Sequence, residues 1–431
     1  MLERVSVYRI AMVLFAFALA IRVTVVVISG PSTVRFGDGK AYLDTAAALC
    51  SSGTYPATGN LPFFRAPGLP FFIAAVTACS PSRIAAVKLG LAITDAVSAV
   101  LIFWLAALLT HRRRAAIIAG ALAASWPFFI VAVTDIRSEP LFMAFMTASI
   151  CAVLEFRERG GGRAILIGGG VSAALAALTR PSGLVMGAVL AILLVTFSIR
   201  RRSHRPLAAG GLFAAAFVLA LLPWVGRNYV RFGELIVVND AVGYNFWRGS
   251  SPEMMVLERA SSPEEFARGS VKFETIVTPG VREWVDRQTP SPARRSREWS
   301  ALAVRSIRRD PGGYVRFTVR KAIAYWRPWV DWREHGLEAV IVTGIVNSLL
   351  FVLAAWGLVA MWRRDRDLGL SALTLLVAGW ILHVPFQVVM RFRIPMTDPL
   401  LLAMAASAMD GFSVRRDDGS GKCDGKRTLV E

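Results

Sequence analysis

The sequence predicts an all-α polytopic membrane protein of about ten spans, and three observations carry that prediction. Apolar runs close to twenty residues long recur along the chain, which is the length a helix needs to cross the hydrocarbon core. Hydrophobic residues make up 55% of the 431 and mean hydropathy is +0.51, which sets the chain apart from soluble domains of this size. The arginines behind a formal net charge of +19 gather in short loops between apolar runs. There they set orientation and meet anionic headgroups. No nucleic-acid-binding motif accompanies them, so nucleic acid is not an expected partner.

The expected spans are 7–29, 84–109, 115–134, 139–155, 164–179, 183–199, 207–225, 338–361, 369–389 and 394–410. Each is read as a helix because lipid offers no other partner to backbone N–H and C=O groups. The first run is too long for a signal peptide and has no good cleavage site, so it is read as a retained helix. "PGLPFFIAAVTA" at 67–78 is apolar but too short to span, and reads as a re-entrant or interfacial piece.

With the N-terminus cytoplasmic, "HRRR" (111–114), "FRERGGGR" (156–163), "IRRRSHR" (199–205) and "WRRDRD" (362–367) all fall inside. "TDIRSEP" (134–140) and "TRPSG" (179–183) then fall outside with one arginine each. This places both termini in the cytoplasm and the charged outer loops on the far side of the membrane.

The domain organisation follows. Residues 1–225 form an N-terminal transmembrane module whose first outer loop, 30–83, carries juxtamembrane helices. Residues 226–337 form a larger extracytoplasmic loop domain, 338–410 the C-terminal transmembrane helices, and 411–431 a polar tail expected to be disordered. In the loop domain, Ser291-Pro292 and Asp310-Pro311 each pair a capping side chain with a proline suited to the first helical position. Trp299, Leu302 and Ile307 are spaced for one apolar face, and Trp326 and Trp329 suit a membrane interface. No internal repeat suggests the inverted halves of a transporter.

Four cysteines, Cys50, Cys79, Cys151 and Cys423, show no metal-binding spacing. Cys50 and Cys79 both lie in the first outer loop and can pair in an oxidising compartment, but the expectation is two unpaired small apolar residues.

The candidate chemistry collects on the outer face. "RFGDGKAYLDTA" (35–46) sets Asp38 just before a short helix that Gly53 can end, as a helix cap or as the base of a surface reaction. Asp44 reads as a solvated face residue. Asp135 and Glu139 stand four apart at the start of a span, either as first-turn acids or as site carboxylates. Asp95 is a carboxylate inside a span, costly there and a supporting candidate. Arg180, Arg227, Arg391 and Arg393 sit at outer membrane boundaries. Planar guanidinium suits a phosphate, and snorkelling toward headgroups is the plainer alternative.

In order, the aspartate after the first span, "SGTY", "RAPGLPFF", "SEPLF", "LTRPSG", "PWVGRNYVRFG" and "RFRIPMTDPLLLAMAA" resemble bacterial membrane glycosyltransferases of the C-type fold. The likeness is to the family 39 group, which includes protein O-mannosyltransferases and the aminoarabinose transferase that acts on lipid A. It runs from about residue 8 to 410. The resemblance implies transfer of a sugar from a polyprenyl-phosphate donor to an acceptor hydroxyl of a lipid, glycan or protein on the extracytoplasmic face. It implies Asp38 as the base and Glu139 as the matching acid of the later span, with Arg180, Arg227, Arg391 and Arg393 on the donor phosphate. Asp135 and Asp95 are supporting candidates.

Relatives near the aminoarabinose transferase carry a glutamate-lysine pair before the proline of the first-loop motif, where this chain has Arg65 and Ala66. Arg65 therefore supplies positive charge where those relatives have a potential metal ligand. No cofactor is certain, and a divalent metal is left open. Single displacement predicts inversion, and partial desolvation predicts an Asp38 pKa above the ordinary carboxylate range. The alternative function is a transporter or flippase for polyprenyl-linked sugars.

Overall fold

In the computed structural model, which describes residues 2–35, 37–56, 63–160, 162–200, 206–289 and 291–418, those residues form helices and connecting loops without a strand. The first outer loop follows α1 (Leu2–Ile28) and holds two short helices, α2 (Gly37–Ser52) and α3 (Gly68–Val76). Next come α4 (Ile84–Thr110), α5 (Arg113–Ser125), α6 (Pro127–Ala132), α7 (Glu139–Arg159), α8 (Arg163–Thr179), α9 (Ser182–Arg200) and α10 (Pro206–Phe232). A helical segment between α10 and α17, called the outer domain after its expected side of the membrane, comprises α11 (Ala241–Arg248), α12 (Pro252–Leu257), α13 (Pro263–Lys272), a π-helical turn Phe273–Val277, α14 (Thr278–Gln288), α15 (Pro292–Arg309) and α16 (Pro311–Tyr325). The chain then re-enters the bundle with α17 (Leu337–Arg364), α18 (Arg366–His383) and α19 (Met390–Asp418).

Among the described residues, six helices are long and apolar enough to cross a membrane: Val7–Ile28, Ile84–Thr110, Glu139–Arg159, Ser182–Arg200, Leu207–Phe232 and Leu337–Arg364. The run at 115–134, expected as one span, is two pieces, because Pro127 has no N–H to continue α5. The span expected at 394–410 lies within α19, which runs on to Asp418, so part of the expected disordered tail is helical. Cys423 and the rest of the tail lie outside the described residues, as does most of "IRRRSHR".

The break after α5 explains two buried charges. Arg22 of α1 donates Nη1 to Ala124 O at 2.6 Å and Nη2 to Ala123 O at 3.1 Å, satisfying carbonyls at the interrupted helix end. Asp95 of α4 neutralises that guanidinium through Nε, and both side chains are fully buried. The intramembrane carboxylate is therefore accounted for by the arginine it holds.

The bundle core joins α1, α4, α5, α7, α8, α9, α17, α18 and α19 through residues such as Ala99, Phe103, Met146, Leu190 and Leu402. On α17, Asn347, Leu350, Ala354, Gly357 and Met361 turn inward while Ile345, Val352 and Val359 are exposed, a division that suits lipid on one side. The outer domain has its own core around Tyr244, Trp247, Phe273, Trp299 and Phe317. Ser291 accepts from Arg294 N to cap α15, and Asp310 accepts from Gly313 N to cap α16, as the Ser-Pro and Asp-Pro pairs predict.

Cys50 and Cys79 form a disulfide, with Cα atoms 5.4 Å apart, and so are not the unpaired residues expected. The bond ties the end of α2 to the turn after α3. It closes a loop across a sequence separation of 29, which restricts the unfolded chain.

Candidate active site

Asp38 does not precede its helix but lies in the first turn of α2, and Asp44 is exposed on the same helix. Gly39 lets α2 approach the segment ahead of α7. A Cβ there would stand 2.9 Å from Val34 and 3.1 Å from Asp135 Oδ1, distances that leave no room for a side chain. Asp135 is fully buried and its Oδ1 accepts from Ile136 N at 2.8 Å, so it organises the turn that presents Glu139. Glu139 opens α7, followed by Pro140, a position where a carboxylate meets the helix N-terminal dipole.

Arginines from three distant segments meet these two carboxylates. Arg65 Nη2 donates to Asp38 Oδ1 at 2.7 Å, and Arg391 Nη2 donates to Asp38 Oδ2 at 2.9 Å. The Nε of Arg391 donates to Glu139, so one guanidinium bridges both acids. Arg180, which ends α8, pairs with Glu139 at 3.3 Å. Arg65 also lies 4.6 Å from the Tyr42 ring centroid and Arg180 5.3 Å from that of Phe392. These ring faces fix the guanidiniums. Asp240 of the outer domain accepts from Phe64 N at 2.9 Å, anchoring the segment that carries Arg65.

This corrects the expected basicity of Asp38. Burial alone raises its pKa, but the Arg65 and Arg391 charges outweigh burial and bring it to about 2. With its present partners the carboxylate is a weak base.

Four sequence candidates thus converge directly: Asp38, Glu139, Arg180 and Arg391, with Arg65 and Asp135 beside them. Arg227 and Arg393 do not join them. Arg227 donates to Tyr55 O at 2.6 Å and to Asn228 at 3.0 Å, tying α10 to the first outer loop. Arg393 is fully buried between α17 and α19, donates to Asn347 at 2.8 Å and stands 3.6 Å from Asp398. Asp95 pairs with Arg22 and not with this cluster, although it reaches the lining of the cavity described next.

Glu139 and Arg391 of the cluster border a cavity of about 680 Å³ between bundle and outer domain. Glu139, Arg137 and Arg391 line its charged end, and Phe128, Val131, Met143, Val342 and Val346 make an apolar wall from membrane helices. Sequence reading missed Arg137, although it stands between Asp135 and Glu139 in "TDIRSEP". It also missed the outer-domain residues Arg248 and Lys321 on the same cavity, which carry no local motif.

Among the described residues, the carboxylates of this cluster do not offer an open ligand set for a divalent cation. Asp38 and Glu139 already take guanidiniums, and among the described residues no group of three or more His, Cys, Asp or Glu is placed to hold a metal.

Comparison with known proteins gives the same direction as the motifs. Residues 64–224 match the family model described as dolichyl-phosphate-mannose-protein mannosyltransferase, bearing out the resemblance to membrane glycosyltransferases. No curated protein matches the sequence. The fold is similar to archaeal oligosaccharyltransferase AglB from Archaeoglobus fulgidus, solved with an inhibitory peptide and a dolichol-phosphate. The TM-score is 0.55 at 13% identity, over 96% of this chain and 52% of that one. The same oligosaccharyltransferase with a tethered acceptor peptide gives a TM-score of 0.58 at 13% identity, over 94% and 50%. This chain therefore spans about half the length of those structures. ArnT from Cupriavidus metallidurans bound to undecaprenyl phosphate also matches, with a TM-score of 0.45 at 15% identity, over 94% of this chain and 79% of that one.

Proposed function

We propose that this integral membrane protein of glycosyltransferase fold moves a sugar from a polyprenyl-phosphate donor to an acceptor hydroxyl on the extracytoplasmic face of a bacterial inner membrane. One observation carries the reading. Glu139 and Arg391 line a cavity that also has an apolar wall of membrane helices, and the same Arg391 guanidinium holds Asp38 just behind that lining. A lipid tail fits the apolar wall and a phosphate the charged end.

The acceptor oxygen attacks the anomeric carbon, the bond from that carbon to the phosphate oxygen breaks, and its electron pair leaves with the polyprenyl phosphate. Asp38 takes the acceptor proton, and the anomeric centre inverts. Phosphate is a good leaving group, so no strong acid is required, and Arg391 and Arg180 stabilise the charge that grows on it. The low pKa of Asp38 fits this sequence. A donor phosphate competes for the Arg391 guanidinium; as that cation turns to the phosphate, Asp38 loses a charge that holds its proton affinity down. The base is weak while Arg391 holds it and strengthens once the donor phosphate draws that cation away. Glu139 keeps Arg391 and Arg180 in position through the exchange.

Purified protein incubated with a panel of polyprenyl-phosphate sugars tests the reading. Free polyprenyl phosphate and a glycosylated acceptor are expected. Movement of intact donor across liposome membranes without bond cleavage would replace the transferase with a flippase.

A further inference from the structure

Lys321 of α16 lines the cavity from the outer-domain side and is only 4% exposed. Its Nζ donates to Gly249 O at 2.6 Å and Pro385 O at 3.4 Å, and lies 4.7 Å from the Phe317 ring centroid. Among the described residues no carboxylate pairs with it. Its neighbours on the same wall differ: Arg248 holds Glu274, and Arg333 holds Asp331 and Glu258. A buried ammonium without a counter-charge is costly, and two carbonyl dipoles offset only part of that cost. Burial accordingly pushes its pKa down to about 8.

The surroundings of Lys321 favour one kind of counter-charge. Gly249 brings the outer domain directly onto the loop between α18 and α19; a Cβ at that position would stand 2.6 Å from Pro385 O. That loop leads to Arg391, whose side chain lines the same cavity from the bundle. An anion that meets both cations has the apolar wall of Val342 and Val346 within the same cavity. An anionic group on an apolar chain suits that combination.

We propose that Lys321 is a ligand of the donor phosphate, so that the outer domain and the bundle each contribute one cation, Lys321 and Arg391, to the leaving group. The inference rests on the polyprenyl-phosphate donor proposed above and adds a contact that the outer domain makes to it. The full-length protein in detergent, with farnesyl phosphate and farnesol as probes, separates the two.

Wild-type protein should bind farnesyl phosphate more tightly than farnesol. Lys321→Gln should weaken farnesyl phosphate about tenfold or more and leave farnesol unchanged, and Lys321→Arg should restore most of the difference. Equal weakening of both probes would make Lys321 a packing residue and overturn the inference, as would no change in either. Displacement of farnesyl phosphate by phosphatidylglycerol at equal concentration would assign Lys321 to a membrane phospholipid and also overturn it. If wild-type protein bound neither probe, the donor reading itself would fall, and the inference with it.

Discussion

Arg391 Nη2 lies 2.9 Å from Asp38 Oδ2 across 353 residues of sequence, joining the first turn of the last helix to the first turn of the first outer-loop helix. The contact makes the proposed base and the proposed phosphate ligand one unit. It also makes substitutions at either residue act on both binding and chemistry.

Arg391→Lys tests that coupling. A lysine ammonium is a single point charge and cannot span Asp38 and Glu139 as the planar guanidinium does. We expect kcat/KM to fall about a hundredfold, with both kcat and KM affected, because one bridge serves ground state and transition state. A change confined to KM would mean that Arg391 only binds.

The pH dependence of kcat/KM reports groups of the free enzyme. Asp38 at about 2 stays ionised throughout the ordinary working range, so no acid limb from it is expected above about pH 4. The stabilising pairs of Asp38 have the same sign: its pKa is lower folded than unfolded, so their contribution is present above about pH 4 and lost as pH falls toward 2. Arg65→Met removes the nearer cation, and an acid limb should appear at higher pH than in wild type. Identical profiles would show that Arg65 does not set the proton affinity of Asp38.

Arg393 is the contrasting case. It was expected on the donor phosphate and instead sits fully buried beside Asp398 and Asn347. Arg393→Met leaves Asp398 without its charge partner and should destabilise the fold by about 3–5 kcal/mol. Thermal unfolding should register the loss, while the remaining folded protein binds farnesyl phosphate like wild type. Weakened binding with unchanged stability would return Arg393 to the donor site.

Chelation separates arginine from metal chemistry. With two guanidiniums on Asp38 and two on Glu139, transfer should be insensitive to EDTA and to added divalent cations. Loss of activity on chelation, restored by one metal, would contradict the site as described.

Much of this was legible in the sequence, for reasons that differ by residue. Helices were found because apolar runs and loop arginines are local signals, and Ser291-Pro292 and Asp310-Pro311 marked helix starts because a cap is a contact between near neighbours. Asp38, Glu139, Arg180 and Arg391 were found because each sits at an outer boundary. Their grouping was not derivable from spacing, since long-range packing brings them together. The same boundary signal flagged Arg227 and Arg393, because a boundary says nothing of which way a side chain turns. The pKa of Asp38 was misjudged because desolvation was weighed without the two arginines that fold onto it. Lys321 carried no signal, because a cation buried among carbonyls and rings with no described carboxylate beside it is visible only once the fold surrounds it.

The measurement that bears most directly on the central claim is release of polyprenyl phosphate from a polyprenyl-phosphate sugar in the presence of acceptor, comparing wild type with Asp38→Asn. Donor binding is measured alongside it. The account predicts that the variant binds donor within a few-fold of wild type but releases polyprenyl phosphate about a hundred- to ten-thousandfold more slowly. Release at the wild-type rate by Asp38→Asn would contradict it.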